Sequence, residues 1–264
     1  MNTAKWAAQA VKVGLFLATL AVLVCAAYMS QVGCPACLVE FASNGVKPDV
    51  LALELPAGGD ELRRTLYLGK PFSQAVRDIY EKQTNVDDVF LWLYPAQFVL
   101  TCFYFTMTGE TKLSRLQLIA AAVVMVFAGR LDHRENSFIH AILRDSGAHF
   151  NQLAASVRHA STQKWLCFGV AAFLSATGLV LQIRGGGPKG LTKSEAGLLC
   201  AILTLVFALV MVGMAAGNRE VIGSSALAYS LFPLALLWLL YLKPLAEKID
   251  DWLRSRLGLH HSKD

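Results

Sequence analysis

Six stretches of the chain are almost free of charged residues and are long enough to cross a lipid bilayer as helices. The hydrocarbon core is about 30 Å thick, so a spanning helix needs about 20 apolar residues. The stretches are residues 13–29, 89–107, 116–131, 165–183, 196–216 and 225–242. The pattern predicts an all-α fold, a polytopic membrane helix bundle of six transmembrane helices that forms one integral membrane domain over residues 1–264.

The third apolar stretch is the shortest, and a burst of polar side chains follows it at once. These polar residues are Arg130, Asp132, His133, Arg134, Glu135, Asn136 and His140. The stretch reaches spanning length only if its helix continues through them. We therefore expect Asp132 and Glu135 to lie on a helix close to the membrane boundary, where charges usually have a partner or a function.

The composition agrees with a chain solvated mostly by lipid. Hydrophobic residues make up 55% of the sequence, charged residues 16%, and the mean hydropathy is +0.47. An average soluble domain has about 25% charged residues. The composition therefore excludes an ordinary soluble domain and favours an integral membrane protein, which we place in the bacterial inner (plasma) membrane.

The distribution of Lys and Arg predicts the orientation. With the N-terminus inside, segments 1–12, 109–115, 184–195 and 243–264 hold 12 of the 24 basic residues in 53 positions, and the outer segments hold the other 12 in 100 positions. Because basic residues concentrate on the cytoplasmic side, both termini are predicted to be cytoplasmic. The formal charge of +5 then reflects topology, and no nucleic-acid partner is expected.

The first stretch has a second interpretation. Lys12, the apolar run and the small residues Cys25 and Ala27 resemble a secretory signal, whose cleavage would leave five spans. The spanning length of residues 13–29 favours a retained helix.

Two segments outside the spans are informative. In the extracytoplasmic loop 32–88, apolar residues between positions 60 and 83 recur at helical spacing and predict two short amphipathic helices over the outer mouth of the bundle. The cytoplasmic amphipathic tail 243–264 predicts an interfacial helix, with packing against a partner subunit as the alternative.

Polar residues of three predicted helices fall at one depth. Seventeen residues at 1.5 Å each separate Arg115, at the inner interface, from Asp132, which places Asp132 about 25 Å away at the outer edge of the hydrocarbon. Lys164 begins the next helix at nearly that depth, and Asp87 begins the preceding one. We call the predicted set the polar layer: Asp87, Tyr94, Asp132, Glu135, Asn136, His140 and Lys164.

Helical spacing places the members of the polar layer on shared faces. Asp132, Asn136 and His140 follow one another at intervals of four, and Asp87 and Tyr94 are seven apart. Three short patterns are present: D-x-x-F-x-x-x-Y from Asp87, D-x-x-E-N from Asp132 and K-W at Lys164. With them, the chain resembles a loosely defined group of multi-span membrane proteins without an established activity. The resemblance covers about residues 80–175 and implies that the layer is a shared feature.

Three interpretations of the polar layer remain open. In the structural one, the acidic and amide side chains pair with Lys164, Arg130 or Tyr94 and fix helix packing. In the second, the layer binds a lipid headgroup or small polar ligand at the outer leaflet. The third is metal-assisted lipid hydrolysis, for which side chains of suitable type occur at Asp132, Glu135, His140, His149 and His159. Because no H-E-x-x-H or comparable spacing is present, no metal site is assigned and any cofactor stays unknown.

A Cys-Pro-Ala-Cys motif at Cys34 and Cys37 follows the first span. It resembles the membrane thiol oxidases that pass electrons from a periplasmic partner to quinone, which implies a redox-active pair. That mechanism needs a second cysteine pair, and segment 130–164 has none. A structural disulfide, a redox couple and idle or metal-binding thiols therefore stay open.

These observations favour a non-enzymatic membrane subunit or a binder of an outer-leaflet lipid or small ligand. The alternatives are a thiol-disulfide oxidoreductase using Cys34 and Cys37 and a metal-dependent lipid hydrolase. The predicted partners are the lipid bilayer and, as an open alternative, another membrane protein or a second copy of the chain.

Overall fold

The computed structural model describes residues 3–32, 50–70, 73–109, 111–188 and 191–257. Helices account for 89% of the structure, and the described residues contain no strand. The helices are α1 (Thr3–Val32), α2 (Val50–Glu54), α3 (Gly59–Thr65), α4 (Ser73–Thr108), α5 (Lys112–Arg144), α6 (Phe150–Arg184), α7 (Lys193–Ala216), α8 (Arg219–Leu237), a π-helical turn (Trp238–Leu242) and α9 (Lys243–Leu257).

Six helices are long and apolar enough to cross a membrane, judged by length and composition. They comprise α1, α4, α5, α6, α7 and a continuous helix through α8 and the π-helical turn into α9. The predicted all-α bundle of six spans is thereby confirmed. The helix at Lys243–Leu257 continues the sixth span directly, and its predicted position at the membrane surface stays a prediction.

The apolar stretches mark only parts of the long helices. As expected, α5 continues through the charged residues to Arg144. The prediction of two short helices between positions 60 and 83 is wrong for the second one, because residues 73–83 form the beginning of α4. Residues 73–94 contain neither Gly nor Pro, so nothing in the sequence ends this helix before the apolar stretch.

The long helices join two separate hydrophobic cores. The membrane core packs side chains of α1 and α4–α8. A second core, which we call the cap core, joins α2, α3 and the neighbouring ends of α4, α5 and α6. Its members are Leu53, Leu62, Leu66, Val76, Tyr80, Ile139, Ile142, Leu143, Phe150, Ala154 and Val157. The polar layer lies between the two cores on α4, α5 and α6, and one of its members, Tyr94, also belongs to the membrane core.

Arginine side chains hold the short helices against the long ones. The Arg63 guanidinium donates to the carbonyl of Gly147 at 2.5 Å, and Arg158 donates to the carbonyl of Pro56. Arg219, at the start of α8, donates two hydrogen bonds of 2.7 and 2.6 Å to the Glu61 carboxylate. The Arg219 hydrogen bond is the main reason that the pKa of Glu61 is lowered. These contacts fix α2 and α3 over the polar layer.

A close helix contact sets the spacing beside the layer. Gly129 of α5 faces Pro95 of α4, and a Cβ at position 129 would lie 2.9 Å from the proline ring. Only glycine permits this approach without a shift of one helix. The contact lies one turn before Asp132 and brings α4 and α5 together where their polar side chains meet.

Candidate functional site

Lys164 is the centre of the site. Its Nζ lies 2.7 Å from Glu135 Oε1, 3.1 Å from Asp132 Oδ1 and 3.2 Å from Glu54 Oε2. An ammonium group has three N–H donors, and here each of them has a carboxylate acceptor. The lysine side chain and all three carboxylates are largely buried, so these charge-assisted bonds form where water does not compete.

The two carboxylates of α5 are bound at both of their oxygen atoms. The hydroxyl of Tyr94 donates to Asp132 Oδ2 at 2.8 Å, opposite the oxygen that accepts from Lys164. Ser161 Oγ lies 2.6 Å from Glu135 Oε2 and 2.6 Å from the backbone carbonyl of Glu54. The lysine group, as we call Lys164 with Glu54, Tyr94, Asp132, Glu135 and Ser161, therefore joins α2, α4, α5 and α6 in a fixed arrangement.

A second set of polar side chains lies next to the lysine group. Asn136 Nδ2 donates to Asp87 Oδ2 and to Asp88 Oδ1, at 3.0 Å each. His140 Nε2 lies 2.9 Å from the other oxygen of Asp88. We call Asn136, Asp87, Asp88 and His140 the asparagine group.

All seven residues of the predicted polar layer belong to these two groups. Helical spacing and equal depth along the sequence were therefore sufficient to predict that these residues lie close together. Arg130, a predicted partner, is exposed on the outside of α5. Glu54, Asp88 and Ser161 were not predicted from the sequence. Ser161 shares a helical face with Lys164, three residues on, whereas Asp88 follows Asp87 directly and points to a different side of α4. The five-residue helix that carries Glu54 is too short to show a period.

The other sequence candidates have separate outcomes. Cys34 and Cys37 lie outside the described residues, and Cys25, Cys102, Cys167 and Cys200 are free thiols. In the described part of the chain, no three His, Cys, Asp or Glu side chains form a group that could hold a metal ion. The ligand types proposed for a hydrolase are instead engaged elsewhere, since Asp132 and Glu135 bind Lys164 and His140 contacts Asp88.

Two cavities adjoin the lysine group. The membrane-side cavity, of about 470 Å³, has a polar end formed by Glu54, Asp87, Tyr94, Asp132 and Lys164. Its other walls are mostly apolar and come from α1, α2, α4, α6 and α8. Leu227 of α8, 72% exposed, also lines it, so the cavity reaches the lipid-facing surface of the bundle.

The cap-side cavity is smaller and lies beside the cap core. Its volume is about 250 Å³, and it is lined by Leu53, Glu54, Tyr80, Gln83, Thr84, Asp87, Asn136 and Ile139. Glu54 and Asp87 line both cavities and so mark the junction between them.

Comparisons of the chain with protein-family models, curated proteins and solved structures find no match. The geometry of the polar layer and its cavities is therefore what bears on function.

Proposed function

We propose that this protein binds an amphipathic molecule, a membrane lipid or a small ligand, in the membrane-side cavity. One observation carries the proposal: the cavity has a polar end of fixed charged side chains, and its other walls are mostly apolar. Its volume of about 470 Å³ is within the range of about 300–1,000 Å³ that is typical of ligand pockets.

The polar end is the part of the cavity that can select a ligand. A hydrocarbon chain that moves from the bilayer into an apolar cavity leaves one apolar environment for another, so burial alone gives little preference. Polar contacts differ strongly between ligands, because unpaired charges and hydrogen-bonding groups are costly in such a site. The lysine group fixes these contacts before a ligand arrives, which lowers the entropic cost of binding.

The proposed setting is the outer leaflet of a bacterial inner membrane, with both termini in the cytoplasm. The density of Lys and Arg along the sequence supports this orientation. In it, the cap core is outside the membrane and the cavity opens between α1 and α8 at the level of the outer leaflet. The proposed role is that of a non-enzymatic membrane subunit or binder.

Native mass spectrometry of the purified full chain tests the proposal. Ala226 lines the cavity on an exposed face of α8, and Ala226→Trp is expected to fill the space and remove a co-purifying amphipathic molecule. Ala208→Trp is the matched control, because Ala208 is exposed on α7 away from the cavity. Equal amounts of bound molecule in both variants, or none in the wild type, would contradict the proposal.

A further inference from the structure

We infer that the ligand carries a protonated amine, which Glu54 and Asp87 bind at the junction of the two cavities, while a hydrocarbon chain occupies the membrane-side cavity. This inference rests on the proposed function and adds the chemical class of the ligand. Three features of the site support it: the engaged lysine, the excess of carboxylates and the unpaired amide oxygens.

Among the described residues, Lys164 is the one cation at the polar end of the membrane-side cavity, and it has no donor left for a ligand. All three N–H groups of Lys164 are directed to Glu54, Asp132 and Glu135. A phosphate or carboxylate headgroup would have to displace one of these bonds and then lie against the same carboxylates. The site is therefore unsuited to an anion, although it contains a buried lysine.

Acidic groups outnumber the lysine at the cavity. Glu54, Asp87 and Asp132 line the membrane-side cavity with one Lys164, and that lysine also binds Glu135 behind them. Asp87 accepts a hydrogen bond from Asn136 and, within the described part of the chain, has no ion pair with Lys, Arg or His. Asp87 is half-buried, and a carboxylate with reduced access to water and no cation is unfavourable, so a positively charged ligand group at Asp87 would be stabilised.

Unpaired oxygen atoms face the same space. Asn136 Oδ1 and Gln83 Oε1 are buried without a hydrogen-bond partner among the described residues, and both side chains line the cap-side cavity. The orientation of the Asn136 amide is defined, because its Nδ2 donates to two carboxylates. Buried acceptors of this kind require a donor from a ligand or from water.

A primary ammonium group has enough donors for Glu54, Asp87 and one of the two amide oxygens. It provides one positive charge and three N–H donors, as the side chain of Lys164 does for its own carboxylates. A metal ion would need a preformed ligand group, and the described residues contain none. Aromatic side chains also line the membrane-side cavity, among them Phe90, Tyr94 and Trp165, and their faces attract cations. The apolar walls then favour a long-chain amine or an aminolipid.

A binding competition separates this inference from the proposed function. The full chain in phosphatidylcholine nanodiscs is exposed to equal mole fractions of hexadecylamine, hexadecanol and monohexadecyl phosphate, and occupancy is measured by native mass spectrometry. We expect hexadecylamine to bind at least about tenfold more tightly than hexadecanol, and the phosphate more weakly than either. Ethylamine in solution tests a free small amine, and weaker binding of ethylamine identifies a lipid-like ligand.

Two isosteric variants locate the amine. Asp87→Asn retains an oxygen that accepts from Asn136, and Glu54→Gln retains its shape; both are expected to lower hexadecylamine affinity about tenfold relative to hexadecanol affinity. Asp78→Asn, on the exposed face of α4, is the matched control and is expected to change neither.

The outcomes distinguish a failure of the amine inference from a failure of the proposed function. Equal binding of hexadecanol and hexadecylamine, tighter binding of the phosphate or unchanged amine affinity in both variants would overturn the amine and leave the cavity as the binding site. Failure of every probe to bind, with Ala226→Trp indistinguishable from wild type, would overturn the proposed function itself.

Discussion

Removal of the Lys164 charge is the most informative perturbation of the polar layer. Lys164→Met keeps much of the apolar stem but leaves Glu54, Asp132 and Glu135 without their shared donor. Breaking a buried ion pair by deleting one partner costs about 3–5 kcal/mol. We expect a loss in the free energy of unfolding of that order, because three carboxylates lose a contact at once.

Double variants show which carboxylate depends most on the lysine. Glu135 makes the shortest contact, at 2.7 Å, and is only 1% exposed, whereas the contact of Asp132 is 3.1 Å long and Tyr94 also binds its carboxylate. Glu135→Gln should therefore offset more of the Lys164→Met loss than Asp132→Asn does. The expected coupling energies are about 0.5–3 kcal/mol.

Unfolding of the purified protein in mixed micelles, titrated with sodium dodecyl sulfate and followed by circular dichroism, measures these free energies. Lys112→Met is the matched control, since Lys112 is exposed, and should change stability by less than about 0.5 kcal/mol. Additive effects of Lys164→Met and Glu135→Gln, within about 0.5 kcal/mol, would refute the reasoning that these two charges stabilise each other.

Three further predictions concern other parts of the molecule. Gly129→Ala should destabilise the protein by about 1–3 kcal/mol in the same titration, because its Cβ would lie 2.9 Å from the proline ring of α4. Arg219 lowers the pKa of Glu61 below the ordinary 4.5, so the pair should stabilise the fold above pH 4.5 and lose this effect as the pH falls through the lowered pKa. In a pH series of melting curves, Arg219→Gln should remove this pH-dependent part of the stability. The double variant Cys34→Ala/Cys37→Ala should retain ligand binding, whereas the thiol-oxidoreductase hypothesis predicts loss of function.

The bundle and most members of the lysine and asparagine groups could be predicted from the sequence, for a physical reason. Each predicted residue lies on a long helix, where a rise of 1.5 Å and a period of 3.6 residues fix both depth and direction. Asp132 and Lys164 could therefore be placed together although no motif links them. The same regularity explains why α5 was expected to continue to Arg144.

Glu54 could not be predicted in this way. It lies on a five-residue helix and reaches Lys164 from 110 positions away in the chain, through a contact that depends on how α2 packs over the bundle. The beginning of α4 at Ser73 was missed for a related reason, since this amphipathic part packs in the cap core while the rest of α4 packs in the membrane core. The cavities were also inaccessible to sequence reasoning, because they are spaces left between helices.

The most direct test of the proposed ligand site is saturable photocrosslinking in membranes. A long-chain amine with a diazirine at its terminal carbon is added to the full chain, and labelled peptides are identified with and without excess unlabelled hexadecylamine. Competition is expected to remove labelling of α1 and α8 around Val22 and Ala226, which line the membrane-side cavity, and to leave labelling around Ala208 unchanged. Equal, unsaturable labelling at all three positions would contradict a ligand site in the membrane-side cavity.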